Sequence, residues 1–288
     1  MTDPAPAAGI DAAKAPAPPP EAPPWYTTLR QDPPGVLPKL LGAASIGLIL
    51  LIWFLFTAGD TPADRPISPS KLPSPGEVIG AISAVVERGL ADSIVATLMR
   101  VLVGFFWAIV VGVGLGVLAA SFRGVLALIT PIALFGRSLP LAALIPLTIL
   151  WFGIDETQKQ MFIFIASVPF VFSDTVKAIS LVPQRYVETA ETLGASRWQI
   201  IRKVLLPLAL PDIVTSLRFL FGLALGYIML AEVINAEEGL GYMINMGERL
   251  GHIDQNYLLL IVIGALAYVV DWTIRFLQRH AFAYRKDL

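Results

Sequence analysis

Apolar residues in this chain come in long uncharged runs, not in the alternation of a half-buried strand or the three-and-four spacing of a surface helix. The first, Leu40 to Ala58, carries no charge over nineteen residues, close to the ~20 that cross a bilayer core as a helix. Similar runs predict further spans at about 94–120, 125–152, 161–181, 213–234 and 257–276. Glycines in "GVGLG" suit the second span to close helix packing. Pro131, Pro140 and Pro146 interrupt the third, and Asp271 and Arg275 fall inside the sixth. The pattern predicts an all-α integral membrane protein with six transmembrane helices and both termini on one side.

The remaining segments divide by composition. Residues 1–36 are rich in Pro and Ala, cannot bury a core, and lack the basic start and apolar centre of a secretory signal. They read as a disordered tail before a transmembrane domain at 37–288. Residues 72–93 enter through prolines and continue with apolar residues at helical spacing, which predicts a short amphipathic helix. Residues 235–256 are acidic and punctuated by glycine. Either connection could meet an extracytoplasmic partner or pack over the bundle.

Composition narrows the function. Hydrophobic residues make up 56% and charged residues 15%, against roughly a quarter charged in ordinary globular chains. Mean hydropathy is +0.70. A net charge of −1 excludes a strongly basic nucleic-acid binder. Without cysteine there is no thiolate nucleophile or Cys-ligated metal, and the two histidines, His252 and His280, are far apart. Lys and Arg set the orientation. Twelve, among them Arg123, Arg185, Arg197, Arg202 and Lys203, fall in the pieces that an N-inside arrangement makes cytoplasmic; five, Arg65, Lys71, Arg88, Lys159 and Arg249, fall outside. This bias places both termini, and the polar stretch 183–211, in the cytoplasm.

That stretch contains "ETAETLGASRWQIIRKVLLPLALP", far more polar sequence than a turn between two spans requires. Glu188, Ala190 and Glu191 suit a short helix, Gly194 permits an unusual backbone conformation or a close approach, and "ASRWQIIRKVLL" resumes helically until Pro207 and Pro211. On residues alone, a protein-docking surface and an interfacial helix lying on lipid headgroups are equally good readings. The spacing goes further. It resembles the cytoplasmic loop of bacterial ABC importer permeases of type I: Glu188-Thr189-Ala190, three residues, Gly194, nine residues, Val204, one residue, Leu206-Pro207. Thr189 and Val204 are mild departures. "LPSPGEV", "RSLPLAALIPLTILWFG", "LGASRW" and "AEEGLGYMI" resemble the nitrate/sulfonate/taurine-type branch, over about residues 70–285.

The resemblance implies a coupling helix between spans four and five, in which Glu188, Ala190, Gly194, Ala195, Ser196, Arg197, Leu206 and Pro207 meet a separate ABC ATPase. It implies a second permease copy, an extracytoplasmic solute-binding protein, surrounding lipid of the inner membrane, and ATP and Mg held only by the partner. Consistently, no GxxxxGK[ST] loop occurs here. No HExxH or GxSxG marks a membrane enzyme. A secondary transporter working without an ATPase would use intramembrane acids, for which Asp174, Glu232 and Asp271 are the candidates, but that reading leaves the polar loop unexplained. Arg137, Arg100 and Glu232 are candidates for the translocation path. Arg137 lies about twelve residues into the third span, roughly 18 Å deep, where it either faces an anionic solute or bonds to carbonyls freed by the prolines. Arg100, nearer the outer face, reads better as structural.

Overall fold

The computed structural model describes residues 28–30, 32–59, 61 and 64–282. Most of the proline-rich tail, and the cationic Arg285 and Lys286, lie outside them. The chain falls into two units, Met1–Leu55 and Phe56–Leu288. Helix α1 (Leu37–Thr57), the first predicted span, makes up most of what is described of the first.

In the second unit the amphipathic connection forms two short helices, α2 (Pro75–Gly80) and α3 (Ile82–Glu87). Ser74 caps α2: its hydroxyl accepts from the Glu77 N–H, and the Glu77 carboxylate accepts from the Ser74 N–H at 2.7 Å. That N–H, with the Arg65 guanidinium 2.9 Å away, holds the Glu77 carboxyl below the usual carboxylate range. Val78 and Val85 are buried on the inward side.

Helix α4 (Leu90–Ser121) and helix α7 (Glu156–Ser180) form the centre. Gly104, Ala108, Gly112 and Gly116 recur every four residues and so share one face of α4. A Cβ at Gly112 would sit 2.7 Å from the Val171 side chain, and one at Gly116 would sit 2.7 Å from Thr175. In lipid, where apolar side chains gain nothing by leaving water, this backbone approach supplies van der Waals contact. Of the "GVGLG" glycines, Gly114 alone faces open space. Helix α10 (Leu206–Asn235) covers the pair with Phe221, Ala224, Leu225 and Ile228, and Phe105 meets Phe221 edge-on at 5.5 Å.

The third predicted span is not one helix. It divides into α5 (Arg123–Ser138) and α6 (Leu141–Phe152), bent by 104°. Pro140 forces the break: Leu139 before it is extended, with ψ 135°, as clash with a following proline ring favours. At 1.5 Å per residue these pieces are about 24 and 18 Å long, short of a ~30 Å core. Arg137 therefore sits in the last turn of α5 beside the break, not midway along a straight helix.

Helix α11 (Leu240–Leu250) follows α10, and α12 (Ile253–Ala281) is the last long apolar helix. The charges inside it are matched. Asp271 accepts from Arg218 of α10 at 3.0 Å and from Arg275 at 2.8 Å. Buried Gln278 donates to the Pro211 carbonyl and the Thr215 hydroxyl. With the bent pair as one span, six candidates among the described residues are long and apolar enough to cross a membrane, and all their regular structure is helical.

Candidate functional site

Two polar regions occupy opposite ends of the bundle. The first is the stretch after α7. Helix α8 (Gln184–Thr192) buries no residue. It closes on a Schellman turn: the Gly194 N–H donates to the Glu191 carbonyl at 2.9 Å, and the Ala195 N–H reaches the Ala190 carbonyl at 3.0 Å. Gly194 has φ +79°, with nothing within 4 Å of where a Cβ would stand. Its requirement is conformational, not steric. Ser196 then caps α9 (Arg197–Ile200), accepting from the Gln199 N–H while Gln199 Oε1 accepts from the Ser196 N–H at 2.7 Å.

Pro207 and Pro211 do not end this helix, contrary to the expectation from sequence. A π-helical turn, Ile201–Leu205, carries α9 into α10. Pro207 stands in the first turn of α10, where a missing N–H is tolerated, and it cannot donate to the Lys203 carbonyl as a continuing α ladder would require. Glu188, Gly194, Ser196, Arg197 and Pro207 are exposed, while Ala190, Ala195 and Leu206 are half-buried. Leu193 and Trp198, 82% and 64% exposed, present bulky apolar groups beside these charges. Behind them a cavity of about 400 Å³ opens between Ser121–Gly124 and the inner residues Val187, Ile200, Ile201 and Leu205.

The second region joins the starts of α4 and α7 to the end of α10. Arg100 is 1% exposed and Glu232 0%, and they pair at 2.7 Å. Arg100 also donates through Nε and Nη2 to Glu156, at 2.5 and 2.8 Å, and through Nη1 to the Glu238 carbonyl at 2.7 Å. Lys159 closes the set on Glu156 at 3.0 Å. Glu232 accepts from the Thr97 hydroxyl at 2.9 Å and the Gly241 N–H at 2.9 Å. Unpaired, either charge would be costly here; together each lobe is hydrogen-bonded. A cavity of about 710 Å³ adjoins the cluster, lined by Asp155, Glu156 and Lys159 on one side and by Glu237, Tyr242 and Arg249 on the other.

Arg137 joins neither region. It is exposed, and its guanidinium lies 5.1 Å from the Phe170 ring centroid. The Gly136 carbonyl, which Pro140 cannot serve, accepts from the Leu139 N–H at 3.4 Å. Among the described residues, no group of three or more His, Asp or Glu could hold a metal.

Residues 112–282 match the family described as "Binding-protein-dependent transport system inner membrane component". The chain belongs to this family. It is 31% identical over 248 residues to the taurine transport system permease protein of Escherichia coli (strain K12), covering 83% of this chain and 87% of that one. It is 30% identical over 253 residues to the nitrate import permease protein of Synechocystis sp., covering 84% and 89%. A permease chain solved in inward-facing conformations of the MetNI methionine ABC transporter superposes with TM-score 0.61 at 25% identity, over 66% of this chain and 95% of that one.

The protein is thus a multi-pass permease of the ABC importer type, a transport subunit and not the ATP-hydrolysing one. In this permease the residues that sequence reasoning missed are Thr97, Glu156, Gly239 and Gly241. Their signal was faint. Gly239 and Gly241 stand in "AEEGLGYMI", and nothing local ties that segment to an arginine more than a hundred positions earlier.

Proposed function

We propose that this permease forms half of the pore of an ATP-driven importer for a small organic or inorganic anion of the nitrate, sulfonate or taurine kind. An extracytoplasmic binding protein delivers the solute, and two copies of this chain engage two ATPase domains. Both termini and the segment 183–211 lie in the cytoplasm, residues 1–36 are a tail outside the permease domain, and ATP and Mg bind on the partner. The coupling contact consists of Glu188, Ala190, Gly194, Ala195, Ser196, Arg197, Leu206 and Pro207. The observation that carries this reading is the exposed α8–α9 elbow, capped at both its turns and running through the π turn into α10. A displacement of the elbow therefore reaches a membrane helix directly.

Arg137 is the residue proposed for the solute path, because a guanidinium at the α5–α6 break offers paired donors to an oxyanion. Arg100 and Glu232 contribute to the path through the buried cluster. Reconstitution with a partner ATPase and a solute-binding protein tests the whole. Uptake of labelled taurine, nitrate or an alkanesulfonate should require ATP and the binding protein together. Uptake by this chain alone would establish a secondary transporter instead.

A further inference from the structure

The buried cluster spans more than a single ion pair needs. The cavity beside it has two walls. One is the start of α7, with Asp155, Glu156 and Lys159; the other is the 236–249 segment, with Glu238, Tyr242 and Arg249. We propose that Arg100 is a positioning residue that fixes the separation of these two walls. One edge of its guanidinium, Nε and Nη2, grips Glu156 on the first wall at 2.5 and 2.8 Å. Nη1 takes the Glu238 carbonyl on the second at 2.7 Å.

The remaining bonds keep that grip in register. Glu232 shares Nη1 at 2.7 Å and, with its other oxygen, accepts from the Gly241 N–H at 2.9 Å. The Thr97 hydroxyl donates to Glu232 and accepts from the Leu240 N–H at 3.0 Å. The backbone of the second wall is thereby held at three successive places just before and inside the first turn of α11. Gly239 and Gly241 leave no slack: a Cβ on the first would stand 2.6 Å from Arg100 Nη1, and one on the second 2.7 Å from the Glu232 side chain. A planar guanidinium supplies these directions at fixed angles, whereas an ammonium is a single point charge.

Arg100 is buried, so it acts on the cavity only through the walls it joins. That the cavity is the mouth receiving solute rests on the importer reading, since it lies at the end of the bundle away from α8 and α9. The fixed separation of the walls does not.

The test uses the full chain in lipid nanodiscs. Because the protein has no cysteine, Asp155→Cys and Arg249→Cys carry two spin labels, one per wall, with no background. Diluted with unlabelled chain, so that labels on two copies rarely meet, the parent should give one narrow distance. Arg100→Lys and, separately, Glu156→Gln should broaden the distribution or shift it by about 3 Å, the scale of one released hydrogen-bonded contact. In reconstituted uptake the same variants should raise KM for the loaded binding protein about 10-fold, proportionately more than they lower the maximum rate, a split that general destabilisation does not produce. Should Arg100→Lys fail to insert, Glu156→Gln carries the test, since Glu156 is half-exposed and leaves the Arg100–Glu232 pair intact. A parent-like distance in both variants overturns the proposal. Absence of ATP-dependent uptake in the parent overturns the importer reading alone and leaves the distances to decide the positioning role.

Discussion

Gly194 and Gly239 both have positive φ, +79° and +116°, yet they answer to different physics. At Gly194 the surroundings are open, so a side chain meets only the conformational cost of the left-handed region, about 1 kcal/mol for alanine. At Gly239 a Cβ would press on Arg100 and on Glu232 at once, within 2.7 Å of each. Gly194→Ala should therefore lower the melting temperature of the purified permease only slightly. Gly239→Ala should cost several-fold more, about 3 kcal/mol or above, because it must open a buried ion pair. Thermal unfolding followed by fluorescence, the two variants side by side, checks the order. Equal losses would contradict the difference in surroundings.

Prolines behave differently from element to element. Pro140 bends the chain by 104°, whereas Pro131, Pro146, Pro169 and Pro211 stay inside helices. The hydroxyls nearby make ordinary bonds one turn back, Thr130 to the Leu126 carbonyl, Ser173 to Pro169 and Thr215 to Pro211, each within 2.9 Å, and none of them reaches the carbonyl four positions before a proline that the ring leaves unserved. At the α8–α9 elbow the charge proposed for the ATPase contact is Glu188, exposed on a helix with no buried residue. Glu188→Lys should leave insertion unchanged and reduce co-purification of the ATPase about 10-fold, the effect of about 1.4 kcal/mol at a charged contact. Normal coupling of hydrolysis to uptake in this variant would remove Glu188 from the contact.

At the scale of the whole molecule, α4, α7 and α10 form the packed centre, while α5 and α6 turn large apolar residues outward. Leu128, Ile132, Phe135, Leu150 and Trp151 are all exposed in the single chain. Arg137 shares this side chain-rich pair of helices, stacked on Phe170. If it serves an anionic path, Arg137→Gln should abolish most uptake, at least about 10-fold, with dimer assembly and basal ATPase retained. The measurement is uptake in proteoliposomes beside size-exclusion of the complex in detergent. A complex that falls apart would instead give Arg137 a structural role through its stacking on Phe170.

Membrane insertion, the helical class and the positions of the long spans follow from the sequence alone. A backbone in hydrocarbon must satisfy its own hydrogen bonds, and a run of about 20 apolar residues has few other solutions. The elbow was legible too, because Ala190, Gly194 and Ser196 act through bonds spanning at most five positions. Which of three prolines breaks the third span was not, since a helix continues through Pro131 and Pro146 although each ring removes a bond. Least legible was the Arg100 cluster. Its members come from four separate elements, and a charge deep in an apolar run looks the same whether it faces a pore or a partner. Only the folded arrangement brings Glu156, Glu232 and the Glu238 carbonyl to one guanidinium, and the cost of leaving that charge unpaired is what selects it.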